Sequence, residues 1–295
     1  MPSNSRLIAV SGILTFAFLG VIQSLYGPLL PELRREFAID AATVGLVFSA
    51  HGFGALSGIL APSLIRAQAV TRRLLGIASG LLVLGAAALS IAPTWPVTLA
   101  AAFVLAVGFG IHVVRLNSLF VAGFGARGMA MSQLINAAFS VGAIVGPIVV
   151  GASGGASRQL FGSVALLALA LLPLSIATDR KTVADQSDSA VTLTATTQTR
   201  KRRRSRLLLG AFIALMCLTV GVETSIGGWT ATLALERGYS FATAANLTAM
   251  FFGSILIGRL LAAWLGHRIE PPSMVVAAIG CIVAIVLLSM VTTAG

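Results

Sequence analysis

The sequence predicts an all-α polytopic membrane protein with about nine transmembrane helices. Only 10% of its 295 residues are charged and 57% are hydrophobic, whereas a soluble domain has roughly 25% charged residues. Its mean hydropathy is +0.97, which excludes a disordered chain because disorder requires low hydrophobicity. The apolar residues are gathered in long runs, and about 20 apolar residues suffice for a helix to cross the hydrocarbon of a bilayer.

Nine such runs are separated by loops with turn residues and charges. The first is too long for a cleaved signal peptide, and Pro28 and Pro31 follow it rather than a small-residue cleavage site. The predicted spans are Leu7–Tyr26, Val44–Ile65, Leu74–Ile91, Val97–Phe120, Met129–Gly151, Leu160–Thr178, Leu207–Leu235, Ala242–Leu265 and Met274–Val291.

The basic residues predict the orientation. With the N-terminus inside, fourteen of the 20 Lys and Arg residues fall in inner segments and four in outer loops. Basic residues are kept in cytoplasmic loops, so we expect a bacterial inner-membrane protein with a cytoplasmic N-terminus and central linker. An odd number of spans would then place Gly295 outside. The net charge of +11 therefore indicates contact with membrane lipids rather than with nucleic acid.

A polar linker divides the chain into three predicted parts. Residues 1–178 form a six-helix bundle, 179–206 a cytoplasmic linker that ends in a basic block, and 207–295 an incomplete bundle of three helices. The basic block is expected to anchor the linker at anionic headgroups, and a regulatory lipid site is the alternative. Gly58-x-Leu60 recurs as Gly258-x-Leu260, a short repeat of the kind that relates the halves of many secondary transporters.

Four segments resemble the major facilitator superfamily, most closely its fucose-permease-like sugar and solute carriers. They are Tyr26–Leu33, Gly108–Asn117, Asn136–Pro147 (with G-x-x-x-G-P) and Gly221–Trp229. The resemblance implies a helical bundle of twelve spans, so the last three are expected to be absent. It also implies a cavity lined by spans one, four, seven and ten, whose missing wall a second copy or a helper subunit would complete. The family's acidic residue in the loop between spans two and three has no counterpart in Arg66–Arg73.

Ionisable residues inside spans are functional candidates because they cost several kcal/mol in lipid. Glu223 is the only acidic residue within a predicted span, and Thr219, Gly227 and Thr230 share its helical face. A partly buried carboxylate of this kind could bind a proton and couple transport to it. The alternative is a structural hydrogen bond or ion pair between two spans.

Arg115 and His112 share a face of span four. They could hold an anionic or hydroxyl-rich solute, although Arg115 could instead extend to the inner interface. Asn117 lies about 200° around the helix from Arg115, so the two side chains face different surroundings.

Other polar and aromatic side chains extend the predicted substrate site. Asn136 in span five can both donate to and accept from a sugar hydroxyl, while its serine neighbours are expected to bridge helices. Gln23 and Tyr26 in span one are further candidates. Trp229 could stack on a sugar ring, or it could anchor its span at the interface.

No enzymatic motif is present in the sequence. It lacks a P-loop and a dinucleotide-binding motif, and no His/Cys cluster has metal-ligand spacing. We therefore predict neither a cofactor nor a metal. The predicted function is secondary transport of a small polar solute, sugar-like or drug-like, by alternating access and with proton coupling. The alternative is a truncated, non-transporting protein or a subunit that needs a partner.

Overall fold

A computed structural model describes residues 3–64, 73–187 and 202–265, which form eight α-helices and a short 3-10 turn at Gly125–Arg127. No strand occurs in these ranges. The helices are α1 (Ser3–Phe37), α2 (Ala41–Leu64), α3 (Leu74–Ile91), α4 (Trp95–Gly123), α5 (Gly128–Ala152), α6 (Ser157–Ser187), α7 (Arg202–Glu236) and α8 (Phe241–Leu265).

Seven of these helices, all except α7, are long and apolar enough to cross a membrane within the described residues. This confirms the prediction of an all-α polytopic membrane protein. Each of the first eight predicted spans falls on one helix, including the seventh, which lies within α7. The predicted ninth span, Met274–Val291, lies outside the described residues.

The predicted end of the first span at Tyr26 is wrong, because α1 continues through Pro28 and Pro31 to Phe37. Proline removes a backbone donor and usually bends or ends a helix. Here the residues around the two prolines are buried, and Leu29, Leu30 and Leu33 are at most 3% exposed. Burial of these leucines stabilises α1 beyond Tyr26, although the two prolines alone predict that the helix ends there.

The predicted linker is shorter than its boundaries suggested. Helix α6 continues through 179–187, and α7 already includes 202–206, so both ends of the predicted segment 179–206 are helical. Residues 188–201 lie outside the described ranges. The three-part division of the chain stays a prediction.

Glycines allow the paired helices among α1–α6 to pack closely. On α1 and α5, Gly20 lies against the carbonyl of Phe139 and Gly142 against the carbonyl of Ala17. Small residues allow backbones to approach in this way, which strengthens van der Waals contact where the surrounding lipid offers no hydrophobic drive. Equivalent contacts join α2 to α4 and α3 to α4, through Gly54, Gly58, Gly110, Gly85 and Gly108.

An ion pair joins the end of α1 to the start of α6. Arg158 Nε lies 2.7 Å from Glu36 Oε1, and Arg158 Nη2 donates to the carbonyl of Ala92 at 3.3 Å, just after α3. Ser157 Oγ also donates to Glu36 Oε2 at 3.2 Å. These contacts hold three helix ends together on one side of the unit.

The turn after α1 and the turn after α7 have the same backbone geometry, 200 positions apart. The residues after the two helices, Ala38 and Gly238, have positive φ angles of 51° and 84°. The next amide in each turn donates to the carbonyl five residues earlier, from Ile39 to Arg34 at 3.2 Å and from Tyr239 to Ala234 at 3.1 Å. Such a left-handed residue ends many helices and satisfies their last carbonyls.

The following helices also begin alike. Asp40 Oδ1 accepts a hydrogen bond from the amide of Thr43 at 2.7 Å, and Ser240 Oγ accepts one from the amide of Thr243 at 3.2 Å. Both are side-chain N-caps, which satisfy a free amide at a helix start. The internal repeat therefore covers a whole helix–turn–helix unit and not only Gly58-x-Leu60.

The α1–α5 contact predicts a loss of stability in Gly142→Ala. The added methyl would overlap the carbonyl oxygen of Ala17, and overpacking of this kind costs about 1–3 kcal/mol. Thermal unfolding in detergent should show a lower midpoint. Gly80→Ala is the matched control because no atom lies within 4 Å of its added methyl. Equal midpoints for the two variants would contradict this account of the helix pairing.

The cap of α2 predicts a pH dependence. The amide of Thr43, by its hydrogen bond, lowers the pKa of Asp40 below its usual 3.8, so the carboxylate stabilises the folded state above that pH. The contribution should fall as the pH drops through the lowered folded pKa. Unfolding midpoints of the wild type and Asp40→Asn should differ at pH 7 and converge once the pH lies below the lowered pKa of Asp40. A constant difference would rule out the charge as its cause.

Candidate functional site

A hollow lies where α1, α2, α7 and α8 meet. It contains about 330 Å³ of atom-free space, counting the part that is open to the surroundings. Polar groups from α1 and α7 and aromatic rings from α2 and α8 form its walls. The lining residues are Gln23, Ser24, Gly27, Phe48, Glu223, Thr224, Gly227, Gly228 and Phe252.

Glu223 is the ionisable group of this lining. Its side chain is half-buried and makes no hydrogen bond or ion pair with any described residue. Gln23 on α1 lines the same hollow and offers both amide donors and an acceptor. Ser24 uses its proton on the carbonyl of Val21 at 3.1 Å, so its hydroxyl oxygen remains able to accept. The hollow thus presents unused acceptors and donors to whatever enters it.

The facing walls are related by the internal repeat. Gln23 corresponds to Glu223, Ser24 to Thr224, and Gly27 to Gly227, each pair being 200 positions apart. Secondary transporters built from repeats carry their substrate sites at the interface between the repeats. The hollow between α1 and α7 occupies this kind of position.

Close backbone contact borders the hollow one turn beyond its polar groups. A Cβ atom at Gly27 would lie 2.7 Å from the Gly227 carbonyl oxygen and 3.1 Å from the Gly228 Cα. Only glycine fits a helix crossing this tight. Because these positions are glycines, α1 and α7 approach closely enough for Gln23 and Glu223 to line the same hollow.

Tyr26 and Trp229 lie beside the hollow rather than in its lining. Tyr26 is 1% exposed, and its hydroxyl is 3.4 Å from His51 Nδ1. Its ring packs edge-on against Phe48, with 6.4 Å between centroids. Trp229 packs over Gly45 of α2. Both aromatic residues therefore pack against α2 and do not line the hollow themselves.

His112 and Arg115 point away from the hollow, towards α3 and α6. His112 is 1% exposed, with Nε2 3.2 Å from Ser79 Oγ and Nδ1 2.9 Å from the carbonyl of Gly108. Arg115 is half-buried, and its Nε atom makes no hydrogen bond with a described residue. The structure thus brings these two together, as their spacing predicts, but not with Glu223.

Asn117 and Asn136 form a hydrogen-bonded cluster between α4 and α5. Asn117 Oδ1 accepts from Ser132 Oγ at 2.9 Å and from Asn136 Nδ2 at 3.4 Å. Asn117 Nδ2 donates to the carbonyl of Val113 at 2.9 Å, and Asn136 Nδ2 also donates to the carbonyl of Ser132 at 2.8 Å. These amides bridge two helices and do not line the hollow.

Sequence reasoning missed several residues of the hollow and one buried acid. The repeat register signalled Ser24 and Thr224, because they occupy equivalent positions next to Gln23 and Glu223. Phe48 and Phe252 carry no distinguishing signal among many apolar residues. Asp179 was assigned to the linker, yet it lies in α6, is 3% exposed and accepts a hydrogen bond from the amide of Gly76 at 2.9 Å.

The family model of the Major Facilitator Superfamily matches residues 12–295. The chain belongs to the Major Facilitator Superfamily. It is therefore an integral membrane protein of a family of secondary transporters, as the sequence predicted. The fucose-permease-like branch and the absence of three spans stay predictions. No curated protein matches the chain.

The chain is similar to several solved structures. A D-xylose-proton symporter superposes with a TM-score of 0.64 at 15% identity, over 90% of this chain and 70% of the symporter. Two crystal structures of POT family transporters, one with a thioalcohol-conjugated peptide and one with 5-aminolevulinic acid, give TM-scores of 0.46 at 16% identity. In both, 78% of this chain is covered and it spans about half (48%) of the other.

Proposed function

We propose that this superfamily member is a proton-coupled secondary transporter of a small, sugar-like solute. The hollow between α1 and α7 is its binding site, and Glu223 is its proton-binding group. The observation that carries the proposal is a half-buried carboxylate that faces a hollow opposite the amide of Gln23. The name of the D-xylose-proton symporter, which shares the fold, supports the same class of solute and coupling.

The chemistry of the lining favours a polyhydroxylated ring. Gln23, Ser24, Glu223 and Thr224 can exchange hydrogen bonds with hydroxyl groups. Phe48 and Phe252 offer apolar faces to the C–H surface of such a ring.

The coupling follows from the cost of charge. A carboxylate enclosed by aromatic rings and solute loses its water, and an unpaired buried charge is unfavourable. Proton uptake by Glu223 removes that cost when the site closes. Solute and proton then favour the same closed state, which is the requirement for moving them together.

The proposal keeps the membrane orientation that the sequence predicts. With fourteen of the 20 basic residues on the inner side, the N-terminus and central linker are cytoplasmic in a bacterial inner membrane. A second copy or helper subunit would complete the cavity wall if three spans are absent from the working protein. Reporter fusions at the N-terminus and in 188–201 would test the orientation.

Glu223→Gln should abolish accumulation while preserving exchange. In proteoliposomes with an imposed proton gradient, wild-type protein should concentrate D-xylose or another monosaccharide from a test panel. The variant should only equilibrate it, because the amide cannot bind and release a proton. Glu236→Gln, at the end of the same helix and exposed, is the matched control.

Two outcomes would count against this proposal. Full uphill accumulation by Glu223→Gln would remove the coupling role of the carboxylate. No movement of any test solute by the wild type would favour the alternative of a non-transporting chain or an incomplete subunit.

The repeat predicts that the carboxylate can change helices. Because Gln23 and Glu223 occupy equivalent positions in one hollow, Gln23→Glu combined with Glu223→Gln should recover most of the accumulation that Glu223→Gln loses. Gln23→Glu alone should impair uptake, since two facing carboxylates repel.

The matched control for this exchange places the new acid elsewhere. Gln159→Glu combined with Glu223→Gln adds a carboxylate at an exposed position of α6 and should not recover accumulation. Equal recovery in both double variants would mean that the effect is not local to the hollow.

A further inference from the structure

A column of polar groups runs through the interior of the α3–α4–α6 unit, apart from the hollow. In its first layer, Ser79 Oγ lies 3.2 Å from His112 Nε2 and 2.8 Å from Ser175 Oγ. Each of these three residues comes from a different helix, and none is more than 2% exposed. They form one continuous hydrogen-bonded chain in the buried interior of the three helices.

The second layer of the polar column lies one helical turn away on the same three helices. Each of its members lies three or four residues from a member of the first layer on the same helix, which places it on the same face. Gly76 precedes Ser79, Arg115 follows His112 and Asp179 follows Ser175. Asp179 Oδ2 accepts from the amide of Gly76 at 2.9 Å, and its carboxylate is attracted by the Arg115 guanidinium. The layer therefore brings a buried acid next to the histidine chain.

Counting hydrogens shows what the first layer lacks. His112 Nδ1 lies 2.9 Å from the carbonyl oxygen of Gly108, and a carbonyl only accepts, so Nδ1 carries a proton. With neutral imidazole, the layer has three hydrogens, one each on His112 Nδ1, Ser79 Oγ and Ser175 Oγ, for its four contacts. One of these contacts therefore has no hydrogen.

One additional proton completes the chain. When His112 is protonated, Nε2 donates to Ser79, Ser79 donates to Ser175, and Ser175 donates to the Leu171 carbonyl. All the contacts of the layer are then hydrogen bonds, with every donor pointing in one direction. Burial opposes the charge, but this extra bond and the carboxylate of Asp179 offset part of that cost.

Few other charges act on His112. Helix α3 and the neighbouring α5 carry no titratable residue, and α2 carries only His51 in its described range. On α6 the described titratable side chains are Arg158, at its far end, and Asp179; on α4 the basic neighbour is Arg115. Asp179 is therefore the acid that favours a charged His112, and Arg115 is the base that opposes it.

We propose that the Ser79–His112–Ser175 chain is a second proton-binding site, with His112 as the acceptor and Asp179 as its charge partner. The ligand is a proton, and the site lies inside the first six helices rather than in the hollow that contains Glu223. It does not depend on the transport role of Glu223, since its occupancy is a property of the folded protein.

Histidine-selective ¹⁵N NMR of the full chain in detergent micelles tests this directly. The sequence has only three histidines, so His51→Gln and His267→Gln assign the His112 ring signals. As the pH falls from about 8 to about 4, a range that allows for the opposing effect of burial, both ring nitrogens of His112 should move to imidazolium shifts. A ring that stays neutral across this range in the folded protein would overturn the proposal.

Two variants test the partners. Ser175→Ala removes the hydroxyl that accepts the Ser79 proton, and should lower the titration midpoint of His112 by about half a pH unit or more, as expected for one hydrogen bond. Asp179→Asn removes the favourable charge and should lower it as well. Ser163→Ala is the control, because its exposed hydroxyl donates only to the Gln159 carbonyl on the same helix. A midpoint unchanged by both test variants, or shifted equally by the control, would overturn the assignment of the chain.

Discussion

A polar side chain inside a bilayer must find its partners within the protein or face water, and this constraint sorts the polar residues of the chain. Asn117 and Asn136 use their hydrogen-bonding groups on each other and on backbone carbonyls. The His112 chain is likewise closed within three helices. Glu223 differs, since among the described residues nothing pairs with it and it borders a hollow. Under the proposed function, its partner is the proton or solute that enters that space.

The repeat explains why this hollow holds one carboxylate and not two. Equivalent positions on α1 and α7 carry Gln23 and Glu223, which have nearly the same shape but differ in charge. Two carboxylates facing each other at these positions would repel and raise the cost of closing the site. The pair keeps similar hydrogen-bonding groups on both helices and, under the proposed function, confines proton binding to one of them.

The helices could be predicted from the sequence because bilayer thickness sets the length of an apolar run, and the first eight predicted spans each fall on a helix. The helix ends could not be predicted in this way, since α1 continues past Pro28 and Pro31 where its leucines are buried. It also could not place His112 and Arg115. In a membrane helix both the lipid-facing and the packed faces are apolar, so periodicity does not distinguish the cavity side from the interior. Glu223 stood out in the sequence because it is the only acidic residue within a predicted span.

Asp179 shows how a requirement of the fold can be met from a distant part of the chain. The loop Arg66–Arg73 carries no acid, where the family usually has one. A helix start exposes unpaired amides and a partial positive charge, both of which favour a carboxylate. Asp179 provides it from α6, through the amide of Gly76, while the local N-cap residue Arg73 makes no side-chain cap. The loop sequence alone therefore shows no acid for the start of α3, although Asp179 lies next to that start in the folded protein. The same carboxylate lies one helical turn from Ser175, in the layer next to His112.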